Sequence, residues 1–248
     1  MDTGLDGKVA IVTGGSGGIG FACARALVAE GARVVIGDLN GEAAVASAAE
    51  LGADVATAAA VDVTQPDDAE LLVDLALERY GRLDVLVASA GIHRATRLDE
   101  LSPEEWDTLL AVNLRGVFLT AQAALRVFVQ QRSGRIIALG SLASQTGGLA
   151  ASAAYAASKG GVATLTKSLA RYAGPHNVTA NCVQPGIIDS PMTAGWSPED
   201  LARLIGNTPL ARIGTPEEVA AAVIFLASDA AAFVTGTHLD VNGGILMD

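Results

Sequence analysis

The chain has 248 residues, 16 Lys and Arg against 27 Asp and Glu, and is half hydrophobic, with 28 Gly and only 4% aromatics. That apolar fraction excludes intrinsic disorder, because burying it can offset the chain entropy lost on folding. The formal charge of −11 argues against nucleic acid or anionic membranes as partners, since both select clustered Lys and Arg.

A chain this long suits one domain over residues 1–248. Residues 1–6 lack the cationic stretch followed by an apolar one that marks a secretory signal. No run of 18 uncharged apolar residues suggests a membrane-spanning helix, and a cytoplasmic location is expected. Cys23 and Cys182 lack metal-ligand spacing and read as buried reduced thiols, so no metal site is expected.

Along the chain, short β-branched runs alternate with longer Ala/Leu-rich ones. Residues 8–13 predict a strand, 18–30 a helix, 33–38 a strand, 42–51 a helix and 54–61 a strand. A helix over 66–80 is opened by a Thr64 cap and Pro66. A strand over 83–89 precedes a helical stretch over 103–131 with an interruption. A strand over 135–140, a long helix over 152–173 and a strand over 178–183 follow. Thr215, with Glu218 three residues on, caps a helix over 216–227, and 238–241 is the last strand. This alternation predicts right-handed βαβ units: an α/β, Rossmann-type doubly wound three-layer sandwich. Strands apolar on both faces fit a sheet between two helix layers. Ligands of such sheets bind at the carboxyl ends of the strands, so function is sought in the loops that follow them.

The first such loop is Thr13-Gly14-Gly15-Ser16-Gly17-Gly18-Ile19-Gly20, between a strand and a helix. Its glycines allow a tight turn and bring backbone N–H groups close to a pyrophosphate. Gly14, Ser16, Gly17, Gly18, Ile19 and Gly20 are therefore candidate cofactor contacts. Asp38 ends the second strand, 18 residues after Gly20. A carboxylate there bonds the ribose hydroxyls of a dinucleotide and repels a 2′-phosphate. Leu39 and Asn40 follow it with no cation, which favours NAD over NADP; the alternative for Asp38 is a turn or helix cap. Asp62 and Val63 follow the third strand. Asp62 either bonds the adenine amine or is a turn residue before Thr64.

Tyr155-Ala156-Ala157-Ser158-Lys159 puts a phenol and an ammonium on one helix face at i and i+4. A free phenol titrates near 10, and a neighbouring cation lowers that value. The pair suits general acid–base exchange between an alcohol and a ketone, or is a packing pair on an amphipathic helix. With Thr13–Gly20, Asp62, Asn113, Ser141, Tyr155-x-x-x-Lys159, Pro185-Gly186, Pro216-Glu217-Glu218-Val219 and the tail Val234-Thr235-Gly236…Val241-Asn242-Gly243-Gly244, the chain resembles the short-chain dehydrogenases/reductases over essentially its whole length.

The resemblance implies a seven-stranded parallel sheet in the order 3-2-1-4-5-6-7. It also implies site roles. Tyr155 is the acid–base. Lys159 bonds the nicotinamide ribose and depresses the Tyr155 pKa. Ser141 bonds the substrate oxygen, with Ser144 close enough to be confused with it. Asn113 holds a helix kink and a water that links Lys159 to solvent. Ala90 and Gly91 contact ribose through the backbone. Pro185, Gly186 and Ile188 pack beside the nicotinamide, and Ser190 stands where the family often has Thr. Two departures stand out: Ala88-Ser89-Ala90-Gly91 replaces the family's Asn-Asn-Ala-Gly, and Asn242 replaces Asp in Val-Asp-Gly-Gly.

A lid is expected over about residues 189–210, carrying Met192 and Trp196 among its candidate substrate contacts. His93 and Arg94 either face the pocket or are structural; His176 and His238 read as structural. The main expectation is an NAD-dependent enzyme of a small secondary alcohol or ketone. A 3-oxoacyl-(acyl-carrier-protein) reductase using NADPH is the alternative. Arg132 stands where one carrier-docking cation is expected, and His176 near the other. A non-catalytic NAD sensor and a structural subunit of a hetero-oligomer are further alternatives. The Ala-rich helices over 113–131 and 152–173, with the resemblance, imply a homotetramer.

Overall fold

A computed structural model describes residues 3–148, 151–191 and 193–247. Its strands are β1 Val9–Thr13, β2 Arg33–Asp38, β3 Ala56–Ala60, β4 Val85–Ala88, β5 Gly134–Leu139, β6 Val178–Pro185 and β7 His238–Val241. Every pairing is parallel, and the order is β3-β2-β1-β4-β5-β6-β7. The helices are α1 Gly18–Ala29, α2 Gly41–Leu51, α3 Pro66–Tyr80, α4 Pro103–Leu110, α5 Gly116–Gln131, α6 Ala143–Thr146, α7 Ala153–Ala173, α8 Pro198–Gly206 and α9 Pro216–Ala227.

Strand side chains alternate in direction, so one apolar run feeds two cores. Ala10 and Val12 of β1 join Val34 and Ile36 of β2 beneath α1, α2 and α9, where Leu27, Ala44 and Val223 are fully buried. Val9 and Ile11 turn to the opposite face, against Leu72 of α3, Ala123 and Phe128 of α5, and Ala173 of α7. Each fully buried Val, Leu or Ile contributes about 1.5–3 kcal/mol. Burial on both faces is why the strands read as continuous apolar runs. The order reverses between β1 and β4, so their carboxyl ends open the crevice that such sheets use.

Some boundaries differ from expectation. The 103–131 stretch is interrupted by a π-helical turn, Ala111–Arg115. Pro103–Gln131 is long and apolar enough by composition to cross a membrane, yet half of its most apolar window is buried in this fold. Helix α3 is capped at Gln65, not Thr64; the Thr64 hydroxyl instead donates to Asp62 Oδ1 at 2.8 Å. Two helices lie outside the predicted elements, α6 and α8. Both are short, and α8 falls inside the expected lid.

Candidate active site

The site begins where β1 turns into α1. Gly14 has φ +62°, and a Cβ there would lie 2.7 Å from the Ala90 Cα. Glycine is therefore required both for the turn and for the approach of the β4 loop. The buried Thr13 hydroxyl accepts from the N–H groups of Ser89 and Ala90, both at 3.2 Å, tying the two loops together. No side chain caps α1, so its first-turn N–H groups and the positive end of its dipole face the cavity.

Asp38 Oδ2 accepts from the Ser16 hydroxyl at 2.6 Å and the Ser16 N–H at 3.2 Å, and Oδ1 accepts from Asn40 N at 3.0 Å. The carboxylate is thus held at the edge of the glycine loop. Leu39 beside it is 77% exposed. Asp62 is a turn residue that also faces the cavity. It closes a turn through Thr64 N at 2.9 Å, which holds its carboxyl below the usual carboxylate range, and it also lines the cavity.

The π turn puts Asn113 fully inside the protein. Its Oδ1 accepts from Ile92 N at 2.8 Å, while Nδ2 donates to Ile92 O at 2.9 Å and Ser158 Oγ at 3.1 Å. One amide therefore joins the β4 loop to α7. A Cβ on Gly91 would sit 3.2 Å from Asn113 Oδ1 and 3.5 Å from Lys159 Nζ. Asn113 itself stands behind the cavity wall.

Helix α7 is capped by the Ser152 hydroxyl and carries Tyr155 and Lys159 inward, 7% and 4% exposed. Lys159 Nζ donates to Leu139 O at 2.7 Å. Burial lowers the ammonium pKa to about 8. Burial also raises the Tyr155 phenol, against an opposing pull from a Ser141 hydrogen bond. The expected depression of the phenol by Lys159 is therefore not found here. The ammonium points to the Leu139 carbonyl, 5.9 Å from the Tyr155 ring centre, and desolvation dominates the phenol. Ser141 Oγ accepts from Ala143 N at 3.1 Å, which leaves the hydroxyl proton available to the phenol. Ser144 is directed elsewhere: its hydroxyl bonds the buried Gln184.

One cavity of about 680 Å³ collects these groups. Gly14, Ser16, Gly17, Gly18, Ile19 and Gly20 line it, as do Asp38, Leu39, Asp62 and Val63. Ala90, Gly91, His93, Ser141, Tyr155 and Lys159 follow, with Pro185, Gly186, Ile188 and Ser190 closing the far side. A smaller chamber of about 90 Å³ shares His93, Ser141, Tyr155, Gly186 and Thr193 with it. Trp196 lines only this chamber, its ring 6.2 Å from His93, and His93 lies edge-on to Tyr155 at 5.0 Å. Met192 lies outside the described residues. Among the described residues no group of three His, Cys, Asp or Glu is placed to hold a metal ion.

The main cavity fits a dinucleotide: an uncapped helix start behind three glycines at one place, a carboxylate 22 residues on from Ser16 at its edge, and a buried cation beyond.

The comparisons with known proteins decide the family. The model described as enoyl-(acyl carrier protein) reductase matches residues 14–246. The chain belongs to the short-chain dehydrogenase/reductase family. It is accordingly an oxidoreductase of a fold that works with a nicotinamide cofactor. It is 41% identical to the 3-oxoacyl-(acyl-carrier-protein) reductase FabG of Vibrio cholerae, over 98% of this chain and 99% of that one. It is 38% identical to the uncharacterized oxidoreductase Mb1385 of Mycobacterium bovis, over 97% of each. Among solved structures, a short-chain dehydrogenase/reductase of Brucella melitensis titled glucose/ribitol dehydrogenase superposes with a TM-score of 0.94, at 38% identity and full coverage of both chains.

Against this family's pattern, the change to Asn242 has a local reason. Its Oδ1 accepts from Gly244 N at 2.8 Å and its Nδ2 donates to Leu246 O at 3.0 Å; an Asp carboxylate could make only the first bond. The turn so formed carries Ile245 into the smaller chamber. Ile245, Leu142, Ile187 and Thr193 are pocket residues that sequence reasoning missed, whereas Leu204 belongs to the apolar residues of the expected lid. Ile245 had no local signal, because its position depends on the tail returning to the sheet.

Proposed function

We propose that the protein interconverts a secondary alcohol and a ketone with NAD(H). The observation that carries this reading is one cavity running from the carboxylate of Asp38, past an uncapped helix start, to the Ser141–Tyr155–Lys159 group. When bound, the nicotinamide supplies or accepts the hydride. The chain's residues handle the rest. Ser141 and Tyr155 hold the substrate oxygen. In oxidation Tyr155 takes the hydroxyl proton at its phenolic oxygen, and in reduction it returns one. Lys159 holds the nicotinamide ribose and keeps positive charge near the phenol. Asp38 accepts from the adenosine ribose hydroxyls, and its charge opposes a 2′-phosphate.

The relatives' names favour a second reading more than the first: reduction of a 3-oxoacyl thioester with NADPH. Asp38 weighs against that cofactor, because the cations lining the cavity are Lys159, bonded to Leu139, and Arg94, beyond the β4 loop. Absorbance at 340 nm with NADH and NADPH in parallel, over simple ketones and an acetoacetyl thioester, separates the readings. Turnover of ketones with NADH supports the first. Thioester reduction with NADPH alone supports the second. Cofactor binding without turnover would leave a sensor. In the same assay Asp38→Ala is expected to raise the NADP(H)/NAD(H) preference about fivefold or more, since one removed charge pair is worth about 1 kcal/mol even in water. An unchanged ratio removes Asp38 from cofactor selection.

A further inference from the structure

Proton transfer at Tyr155 needs the Ser141 hydroxyl aimed at the phenol, and the backbone of Ser141 aims it only in part. Gly140 N donates to Val183 O at 2.8 Å and Leu142 N to Pro185 O at 2.9 Å, so the residues on either side of Ser141 continue the β5–β6 ladder. The side chain is set by the turn that follows. Ser141 Oγ accepts from Ala143 N at 3.1 Å, and Ser144 N donates to Ser141 O at 3.0 Å. Both donors belong to α6. A helix of four residues is not stable in isolation, so α6 takes its place from what it is fastened to.

On the side of α7, Ala143 packs in one buried cluster with Ala154 and Tyr155. On the side of the sheet, the Ser144 hydroxyl donates to Oε1 of Gln184 on β6. Gln184 is fully buried, and among the described residues its Nε2 has no hydrogen-bond partner. A buried amide donor left unpaired costs about 1–3 kcal/mol, which an apolar side chain of the same length would avoid. Stability therefore does not account for an amide at this place, whereas the bond to Ser144 does. Ser144 lines neither cavity, so it acts as a link and not as a substrate contact.

Resting on the oxidoreductase reading, we infer that Gln184 is a positioning residue: through Ser144 it seats α6 on the sheet and so aims the Ser141 hydroxyl at the Tyr155 oxygen.

Two variants cut this link from opposite ends. Gln184→Met keeps the side-chain length and removes the amide; Ser144→Ala removes the hydroxyl. Kinetics are read on 2-butanone and 2-butanol, or on an acetoacetyl thioester and its 3-hydroxy form, whichever pair the wild type turns over with its preferred cofactor. Each variant is expected to lower kcat about tenfold or more, since a misplacement of about 1 Å can cost as much as 10²-fold, while KM and cofactor affinity stay within about twofold. The double variant is expected to lose no more than either single one, because both remove the same bond. The rate of alcohol oxidation is expected to rise at higher pH than in the wild type, because the Ser141 hydrogen bond favours the phenolate. Among the described residues, the titratable groups facing that phenol are Lys159 on α7 and His93 on the β4 loop, and neither is altered. Gln184→Met is expected to melt no lower than the wild type, which a purely structural role would not give.

Wild-type kcat and pH profile in either variant, losses that multiply in the double variant, or a loss confined to cofactor binding would overturn the inference. Should Gln184→Met fail to fold, Ser144→Ala at its half-buried position decides alone. A crystal structure of Ser144→Ala tests the same point without turnover. It is expected to show the Ser141 hydroxyl off the Ala143 N–H, and an unmoved Ser141 overturns the inference even if the oxidoreductase reading stands. Silence of the wild type on both substrate pairs, with either cofactor, sinks that reading, and the crystal structure then decides the positioning.

Discussion

At the residue scale, the site trades stability for chemistry. Lys159 is a buried ammonium whose pKa has fallen from 10.5 to about 8, so at pH 7 the fold keeps charged a group that burial disfavours. Between about pH 8 and 10.5 the unfolded chain binds more protons at Lys159 than the folded one, and stability from this group rises with pH. The penalty is complete below about pH 8 and gone above the unfolded value. Lys159→Met is therefore expected to lose turnover yet melt at the same or a higher temperature at pH 7, with its stability advantage shrinking toward pH 10. Thermal melts across that range check it; a variant that melts well below wild type at pH 7 would show that the Leu139 bond outweighs desolvation. Tyr155→Phe keeps the ring packed against His93 and removes only the hydroxyl. It is expected to fold, bind NADH and lose about 10²–10⁴-fold in kcat, and wild-type kcat would exclude Tyr155 as the acid–base.

At the element scale, the π turn is the least ordinary feature. An uninterrupted helix over 103–131 would carry residue 113 at a different angle; the widened turn directs its amide to both Ile92 backbone groups and to Ser158. Asn113→Ala leaves the Ile92 N–H and C=O without that partner in a part-buried place. The expected cost is about 2–4 kcal/mol in urea unfolding, together with weaker cofactor binding through the displaced Gly91 loop. A loss under 1 kcal/mol would mean that water replaces the amide. The interruption was legible in the sequence, but its π character was not, because a wide turn is stabilised by its tertiary partners and not by local propensity. Helix α8 escaped for a different reason: Ser197 and Pro198 give it a start, yet it is short and its buried Leu204 has meaning only against the chamber.

At the scale of the whole molecule, the sheet leaves apolar side chains outside. Phe118 on α5 and Tyr172 on α7 are 42% and 64% exposed, on the helices that the family resemblance assigns to subunit contact, and Trp106 on α4 is 37% exposed. Phe225 and the fully exposed Phe233 lie toward the carboxyl-terminal end of the chain. We propose a homotetramer on this basis. Sedimentation velocity at micromolar concentration is expected to give four chains per particle, and a monomer would refute it.

The order of elements and the glycine loop were set in the sequence, because both rest on local rules: alternating apolar periods, and glycines between a strand and a helix. Tyr155 and Lys159 were legible for the same reason, since four residues on a helix bring two side chains to one face. The direction of their pKa shifts was not. Charge proximity along a helix argued for a lowered phenol, whereas burial decided the outcome, and burial exists only once α7 is packed against β5 and β6. The smaller chamber is likewise a tertiary product: Leu142, Ile187, Leu204 and Ile245 come from four separate segments, and only the folded sheet, with the tail turned back by Asn242, brings them around one space.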